Sequence, residues 1–158
     1  MPKRPISVAL NGAERRIEIE DQVTLAQMLR DEGLTGLKVS CDAEVCGACT
    51  VLLDGRPVSA CTTLALEADG RKVETIEGLA SGLQLHPIQQ AFIDNFAFQC
   101  GFCTPGMILS AKSLLEEKPR PTFAEVQHWM EGNLCRCTGY RTIVEAVLDA
   151  SERMESER

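Results

Sequence analysis

Apolar residues alternate with polar ones in the first half of the chain and recur at helical spacing in the second, so the two halves predict different architectures. Residues 6–10 lead into Asn11-Gly12, and residues 16–20 alternate apolar and charged side chains beyond it, which predicts a β-hairpin. Thr24 opens a helix, with Gln27 placed to complete a capping box; Leu25, Met28 and Leu29 form the apolar stripe and Gly33 ends it. Residues 50–53 and 57–60 flank Asp54-Gly55 as a second hairpin, and residues 72–76 supply a last alternating strand. A hairpin, a helix and then further strands predict an α+β arrangement of the β-grasp kind.

Residues 78–85 read as a connecting loop, which divides the chain into domains 1–78 and 79–158. His86-Pro87 suits a helix start, because proline fits the first helical position, and Ile88, Phe92 and Phe96 follow at helical spacing. A second helix opens at Thr104-Pro105, with Met107, Ile108, Ala111, Leu114 and Leu115 on one face. Pro119 and Pro121 break the chain, Thr122 and Glu125 form a capping box, and Phe123, Val126 and Met130 make a third stripe. A fourth helix begins near Tyr140, with Ile143, Val144, Val147 and Leu148 facing inward. Four short amphipathic helices on short loops predict a small antiparallel four-helix bundle.

At 158 residues, two such domains would each be marginal on their cores alone, so a stabilising ligand is expected. Sixteen basic against 23 acidic residues leave a net charge of −7 without a basic cluster, which argues against nucleic acid and membrane-surface partners. The apolar runs are too short to span a bilayer. Lys3 and Arg4 precede only the five apolar-rich residues ISVAL before Asn11, Glu14 and Arg15, so no secretory signal is expected. A cytoplasmic setting follows, with export alongside a signal-bearing partner as the alternative.

Eight cysteines form two groups of four. Cys41, Cys46, Cys49 and Cys61 are spaced C-x4-C-x2-C with the fourth after eleven residues, which is the spacing of a plant-type [2Fe–2S] loop and its distant ligand. Cys100, Cys103, Cys135 and Cys137 are spaced C-x2-C, a gap of thirty-one, then C-x-C. Four thiolates satisfy the two tetrahedral irons of one such cluster, and Gly47, Ala48, Gly101 and Gly106 let backbone amides approach the sulfurs. Zinc is the alternative: Cys100-x2-Cys103 alone suits either metal, whereas the C-x4-C-x2-C triple and the single-residue gap at Arg136 do not suit zinc. Disulfides and a thiol redox switch fit the setting and the cysteine count less well. His86 and His128 read as capping or surface residues, Met107 and the phenylalanines as core, and Glu116-Glu117 and the charged stretch from Glu152 as solvated faces. No catalytic residue is identified, since no nucleotide-binding glycine loop or nucleophile–base signature is present.

The stretches CGACTVLLDG (46–55), QCGFCTPGM (99–107) and GNLCRCTGY (132–140) resemble the signatures of the small iron–sulfur subunit of molybdenum hydroxylases, the family of xanthine dehydrogenase, aldehyde oxidoreductase and aerobic carbon monoxide dehydrogenase. The resemblance covers essentially the whole chain. It implies an N-terminal plant-type ferredoxin-like domain and a C-terminal four-helix domain, each with one [2Fe–2S] cluster on its four cysteines. It also implies a large partner subunit carrying molybdenum on a pyranopterin, with a medium FAD subunit or a cytochrome-type acceptor beyond. Electrons would pass one at a time through the helical-domain cluster, then the ferredoxin-domain cluster. Gln99 and Cys137 fall where the family's glutamine and last cysteine approach the pterin. Ser40 and Glu44 stand where the family's first loop has glycines, so an added carboxylate is expected beside the first cluster, lowering its potential.

Overall fold

The computed structural model describes residues 2–156 and has the α+β character expected. Strands β1 (Arg4–Leu10) and β2 (Ala13–Ile19) form the first hairpin, closed by Asn11 and Gly12 at φ 49° and 81°. Two consecutive left-handed residues give a turn whose twist matches that of paired strands, which is why Asn-Gly signals it. The second hairpin, β3 (Thr50–Leu53) and β4 (Arg56–Ser59), turns on Asp54 and Gly55 in the same conformation. Strand β5 (Lys72–Glu74) lies between the hairpins, parallel to β1 and antiparallel to β3, giving the order β2-β1-β5-β3-β4.

Helix α1 (Leu25–Asp31) begins where Thr24 Oγ1 accepts the Gln27 amide at 3.2 Å. The expected capping box is only half made, because the Gln27 side chain donates to Asp31 at 2.6 Å instead. Ile6, Val8, Leu10, Ile17 and Ile19 alternate into a core with Leu25, Met28 and Leu29 from α1. All four residues of β3 are buried, against the alternation of a one-sided sheet, because a helix of the second half packs on its other face.

That second half comprises α2 (Pro87–Asp94), α3 (Thr104–Glu117), α4 (Phe123–Trp129) and α5 (Arg141–Ser156). His86 caps α2: its Nδ1 accepts the Ile88 amide and its own amide donates to Gln89. The Thr122–Glu125 box opens α4 as expected. The helices bury a second core around Ile88, Phe92, Met107, Leu115, Val126 and Val147. Phe96 departs from its expected stripe: α2 ends at Asp94, Phe96 turns left-handed at φ 51° and its ring is 82% exposed. Phe123, expected inward, is also exposed. The charged stretch from Glu152 continues α5, with Glu152 and Glu155 exposed and the half-buried Arg153 paired with Asp94 of α2 and Asp149, both at 2.7 Å.

Helix α3 joins the two cores. It packs against β3 and β4; Ser113 Oγ donates to Gly55 O at 2.9 Å, and Lys112 pairs with Glu74 at 2.9 Å.

The two phenylalanines placed on one stripe by spacing therefore separate experimentally. In the isolated, metal-loaded chain, Phe92→Ala is expected to cost about 3–5 kcal/mol, the usual penalty for emptying a buried aromatic site. Phe96→Ala should stay within about 0.5 kcal/mol. Urea unfolding midpoints check both; equal losses would contradict the placement of Phe96.

Candidate metal centres

The first four cysteines converge from the loop between α1 and β3 and from the end of β4. Between Cys41 and Cys49 the backbone takes left-handed turns at Asp42, Glu44 and Gly47, with φ 53°, 57° and 66°. These turns point amides inward: Val45 N and Cys46 N each donate to Cys41 Sγ at 3.4 Å. Amides of Ala43, Val45 and Cys46 hold the exposed Cys41 thiol down to about 7, well below an ordinary thiol. Cys49 is the opposite case. It is 2% exposed, and burial, with Cys61 and Cys46 beside it, pushes its thiol up to about 12. Cys61 arrives after β4, is buried too and shares a hydrogen bond with Cys49. Glu44 is exposed, and its carboxylate accepts from the hydroxyl of Thr62, next to Cys61.

The other four cysteines lie at or just before the starts of α3 and α5. Cys103 immediately precedes α3 without a side-chain capping bond, and Cys135 and Cys137 precede α5. Cys137 Sγ and Cys100 Sγ are 3.5 Å apart, both exposed. Cys103 hydrogen-bonds Cys135, and burial followed by that contact pushes the Cys103 thiol up to about 12. Burial also acts to raise Cys135, but hydrogen bonds outweigh it and leave that thiol lowered; Thr138 Oγ1 donates to Cys135 Sγ at 3.2 Å. Tyr140 Oη accepts from Cys135 N at 2.9 Å, and Gly139 at φ 71° makes the intervening turn. Gln99 is exposed, and its Nε2 donates to Cys137 O at 3.1 Å.

The thiols thus meet in four pairs: 41 with 46, 49 with 61, 100 with 137, and 103 with 135. Among the described residues no three or more His, Cys, Asp or Glu side chains gather closely enough to hold a metal ion by themselves. One tetrahedral zinc would draw four thiolates onto a single centre. Two pairs per site match the donor set of two irons, each needing two thiolates. Thr104 Oγ1, one residue beyond Cys103, is buried without a protein partner. Neither histidine joins a site: His86 caps α2, and the exposed His128 lies 3.3 Å from Glu131.

Sequence reasoning identified the thiols but missed the residues that orient them. Asn133, Thr138 and Tyr140 all lie within the stretch GNLCRCTGY, where the sequence assigns them no role. The side chain of Asn133 is 4% exposed and joins the two halves, with Nδ2 donating to Gly47 O at 2.9 Å. The only local signal was its place two residues before Cys135.

Comparisons with known proteins agree with this geometry. Residues 8–80 match the 2Fe-2S iron-sulfur cluster binding domain, and residues 75–148 match the [2Fe-2S] binding domain. The nicotine 6-hydroxylase small subunit of Paenarthrobacter nicotinovorans is 53% identical over 92% of this chain and 88% of its own length. Quinoline 2-oxidoreductase from Pseudomonas putida 86 superposes with a TM-score of 0.95 at 45% identity, covering 99% of this chain and 98% of the matched chain. Aldehyde oxidoreductase from Desulfovibrio gigas gives 0.94 at 41% identity over 98% of this chain, which corresponds to 18% of that longer chain. The chain belongs to the family of small [2Fe–2S] iron–sulfur subunits of the molybdenum hydroxylases.

Two substitutions should shift the sites' potentials in opposite directions. Reduction makes a site more negative, so Glu44→Gln, removing a nearby charge, should raise the potential of the Cys41-containing site. Thr138→Val removes a donor to sulfur and should lower that of the Cys135-containing site. Redox titrations followed by electron spin resonance check both; a lowered or unmoved potential in Glu44→Gln would contradict the electrostatic role given to that carboxylate.

Proposed function

We propose that this chain is the electron-relay subunit of a molybdenum-containing hydroxylase, with Cys41, Cys46, Cys49 and Cys61 holding one [2Fe–2S] cluster and Cys100, Cys103, Cys135 and Cys137 the other. The observation that carries the reading is the set of four thiol pairs at two sites, the first with exposed and buried cysteines and the second with exposed and half-buried ones. When bound, a [2Fe–2S] cluster takes up and releases one electron at a time. The chain's own residues do the rest. Amides directed at Cys41 and the Thr138 hydroxyl on Cys135 stabilise negative charge on sulfur. Buried Cys49 and half-buried Cys103 tie the sites into the two cores.

The two cores support domains at 1–78 and 79–158, the first a β-grasp ferredoxin-type unit and the second a four-helix bundle. The parallel β1–β5 pairing between two hairpins supports the former, and the packing of α2–α5 around one core supports the latter. Exposed Cys137, tied to exposed Gln99, supports entry of electrons at that end, where both residues would meet the pterin of a large molybdopterin-binding subunit. Exposed Cys41 supports exit toward an FAD subunit or a cytochrome-type acceptor. Among the described residues no helix is long and apolar enough to cross a membrane, in keeping with the proposed cytoplasmic setting.

Cysteine substitutions in the assembled complex test the order of transfer. With substrate added anaerobically, Cys49→Ser should still allow reduction of the site at Cys100–Cys137 but not turnover with the physiological acceptor. Cys103→Ser should block both. Normal turnover in a Cys49→Ser complex shown to lack the first cluster would contradict the order.

Gln99→Ala is expected to slow reduction by substrate while leaving iron content unchanged, because its carboxamide touches Cys137 only through the backbone carbonyl. A structure of the complex with Gln99 facing solvent, or with Cys103 rather than Cys137 nearest the pterin, would overturn the assignment of the entry point.

A further inference from the structure

We infer that Asn133 is a positioning residue that fixes the electronic coupling between the two thiol sites, an inference that rests on the function proposed above. A backbone hydrogen bond bridges the two cysteine sets directly: Leu134 N donates to Cys46 O at 2.9 Å. Cys46 belongs to one set of cysteines, and Leu134 is bonded directly to Cys135 of the other. The bridge thus runs from a residue of one site, through a single non-covalent step, to a residue of the second.

That hydrogen bond is not itself packed in a core: Leu134 is 50% exposed and Cys46 half-buried. Its alignment comes from the residue before it. Asn133 donates from Nδ2 to Gly47 O at 2.9 Å and to Thr50 Oγ1 at 3.2 Å, and its Oδ1 accepts from Ser110 Oγ at 2.7 Å. The carboxamide therefore touches the Cys46–Cys49 loop, β3 and α3 at once. Gly47 O, the carbonyl following Cys46, also takes the hydroxyl of Thr50 at 2.7 Å and its amide at 3.1 Å. Three donors on one carbonyl leave that loop little freedom to turn.

The glycines show how closely the backbones approach. A Cβ on Gly47 would collide with Gly132 O and the Asn133 carboxamide, and one on Gly106 would collide with Gly47 O. Side-chain-free backbone is needed on both sides of the contact, and Asn133 provides the side-chain bonding that holds it closed. A buried carboxamide deprived of its partners, or the converse, is costly, so the closed arrangement is strongly favoured.

The transfer this serves is simple in its balance. One electron leaves the site at Cys100–Cys137, which is oxidised by one unit, and arrives at the site at Cys41–Cys61, which is reduced by one. No covalent bond forms or breaks, and no proton moves. What Asn133 controls is how well the two sites sense each other, through the alignment of the Cys46–Leu134 hydrogen bond and through their separation.

The test compares wild type, Asn133→Ala and Ser110→Ala in the assembled, metal-loaded complex. Two readouts are taken: the spin–spin splitting between the two sites in fully reduced protein, and the arrival of electrons at the Cys41 site after rapid mixing with substrate. Asn133→Ala should lose the splitting and delay arrival, with iron content retained. Ser110→Ala, which removes one hydrogen bond without opening the contact, should show the same changes to a smaller degree. Wild-type splitting and arrival in Asn133→Ala would overturn the inference; should that variant fail to assemble, the same result in Ser110→Ala would overturn it. Wild-type complex that lacks two distinct iron–sulfur signals would instead overturn the function on which the inference rests.

Discussion

A sulfur that must carry charge while lying out of water sets the terms for the rest of this structure. Cys49 is 2% exposed, and burial raises its thiol to about 12, as it does for the half-buried Cys103. At neutral pH neither would ionise alone. A cation that displaces the proton reverses that preference, so metal binding and folding become one equilibrium. This suits a chain of 158 residues divided between two separate cores, since a small core offers little surplus stability. The outer thiols answer a different demand. Cys41, Cys100 and Cys137 are exposed, which leaves an accessible edge on each site for exchange with another protein.

The same constraint explains why the halves are held so closely. Electrons cross between sites only if the sites are near, and nearness here is achieved by backbone against backbone at Gly47, Gly106 and Gly132. Helix α3 serves both sides of the contact. Its first turn carries Gly106 after Cys103, its middle carries Ser110 to Asn133, and its later turns reach Gly55 and Glu74 of the sheet. One helix therefore carries a cysteine of the second group at its start, a close approach in its first turn and the anchoring of one half to the other. The burial of β3 on both faces is the packing consequence of that arrangement.

What the sequence made legible was what is local. Asn11-Gly12 and Asp54-Gly55 adopt the left-handed turns that their residue types favour, and both hairpins follow from them. The cysteine spacing sorted the thiols into two groups, and the structure brings thiols together within each group because they lie in short loops or at helix starts. The expectation for Phe96 failed because periodicity extends a stripe but does not locate the left-handed residue that ends a helix. Gln27 chose Asp31, at helical spacing on its own face, over the amide it was expected to cap. Asn133 could not be read at all. Its partner Gly47 is 86 positions away, and no periodicity encodes a contact between two loops. The glycine and asparagine before Cys135 were visible as residues, but their purpose belongs to the packed pair of halves.

Metal and sulfide analysis of the purified complex, combined with electron spin resonance after reduction, tests the central claim most directly. The account predicts about four irons and as many acid-labile sulfides per chain, in two spectroscopically distinct [2Fe–2S] centres. Their surroundings differ, since one site lies in a loop beside a sheet and the other at helix starts. A colourless, folded chain carrying stoichiometric zinc would contradict it.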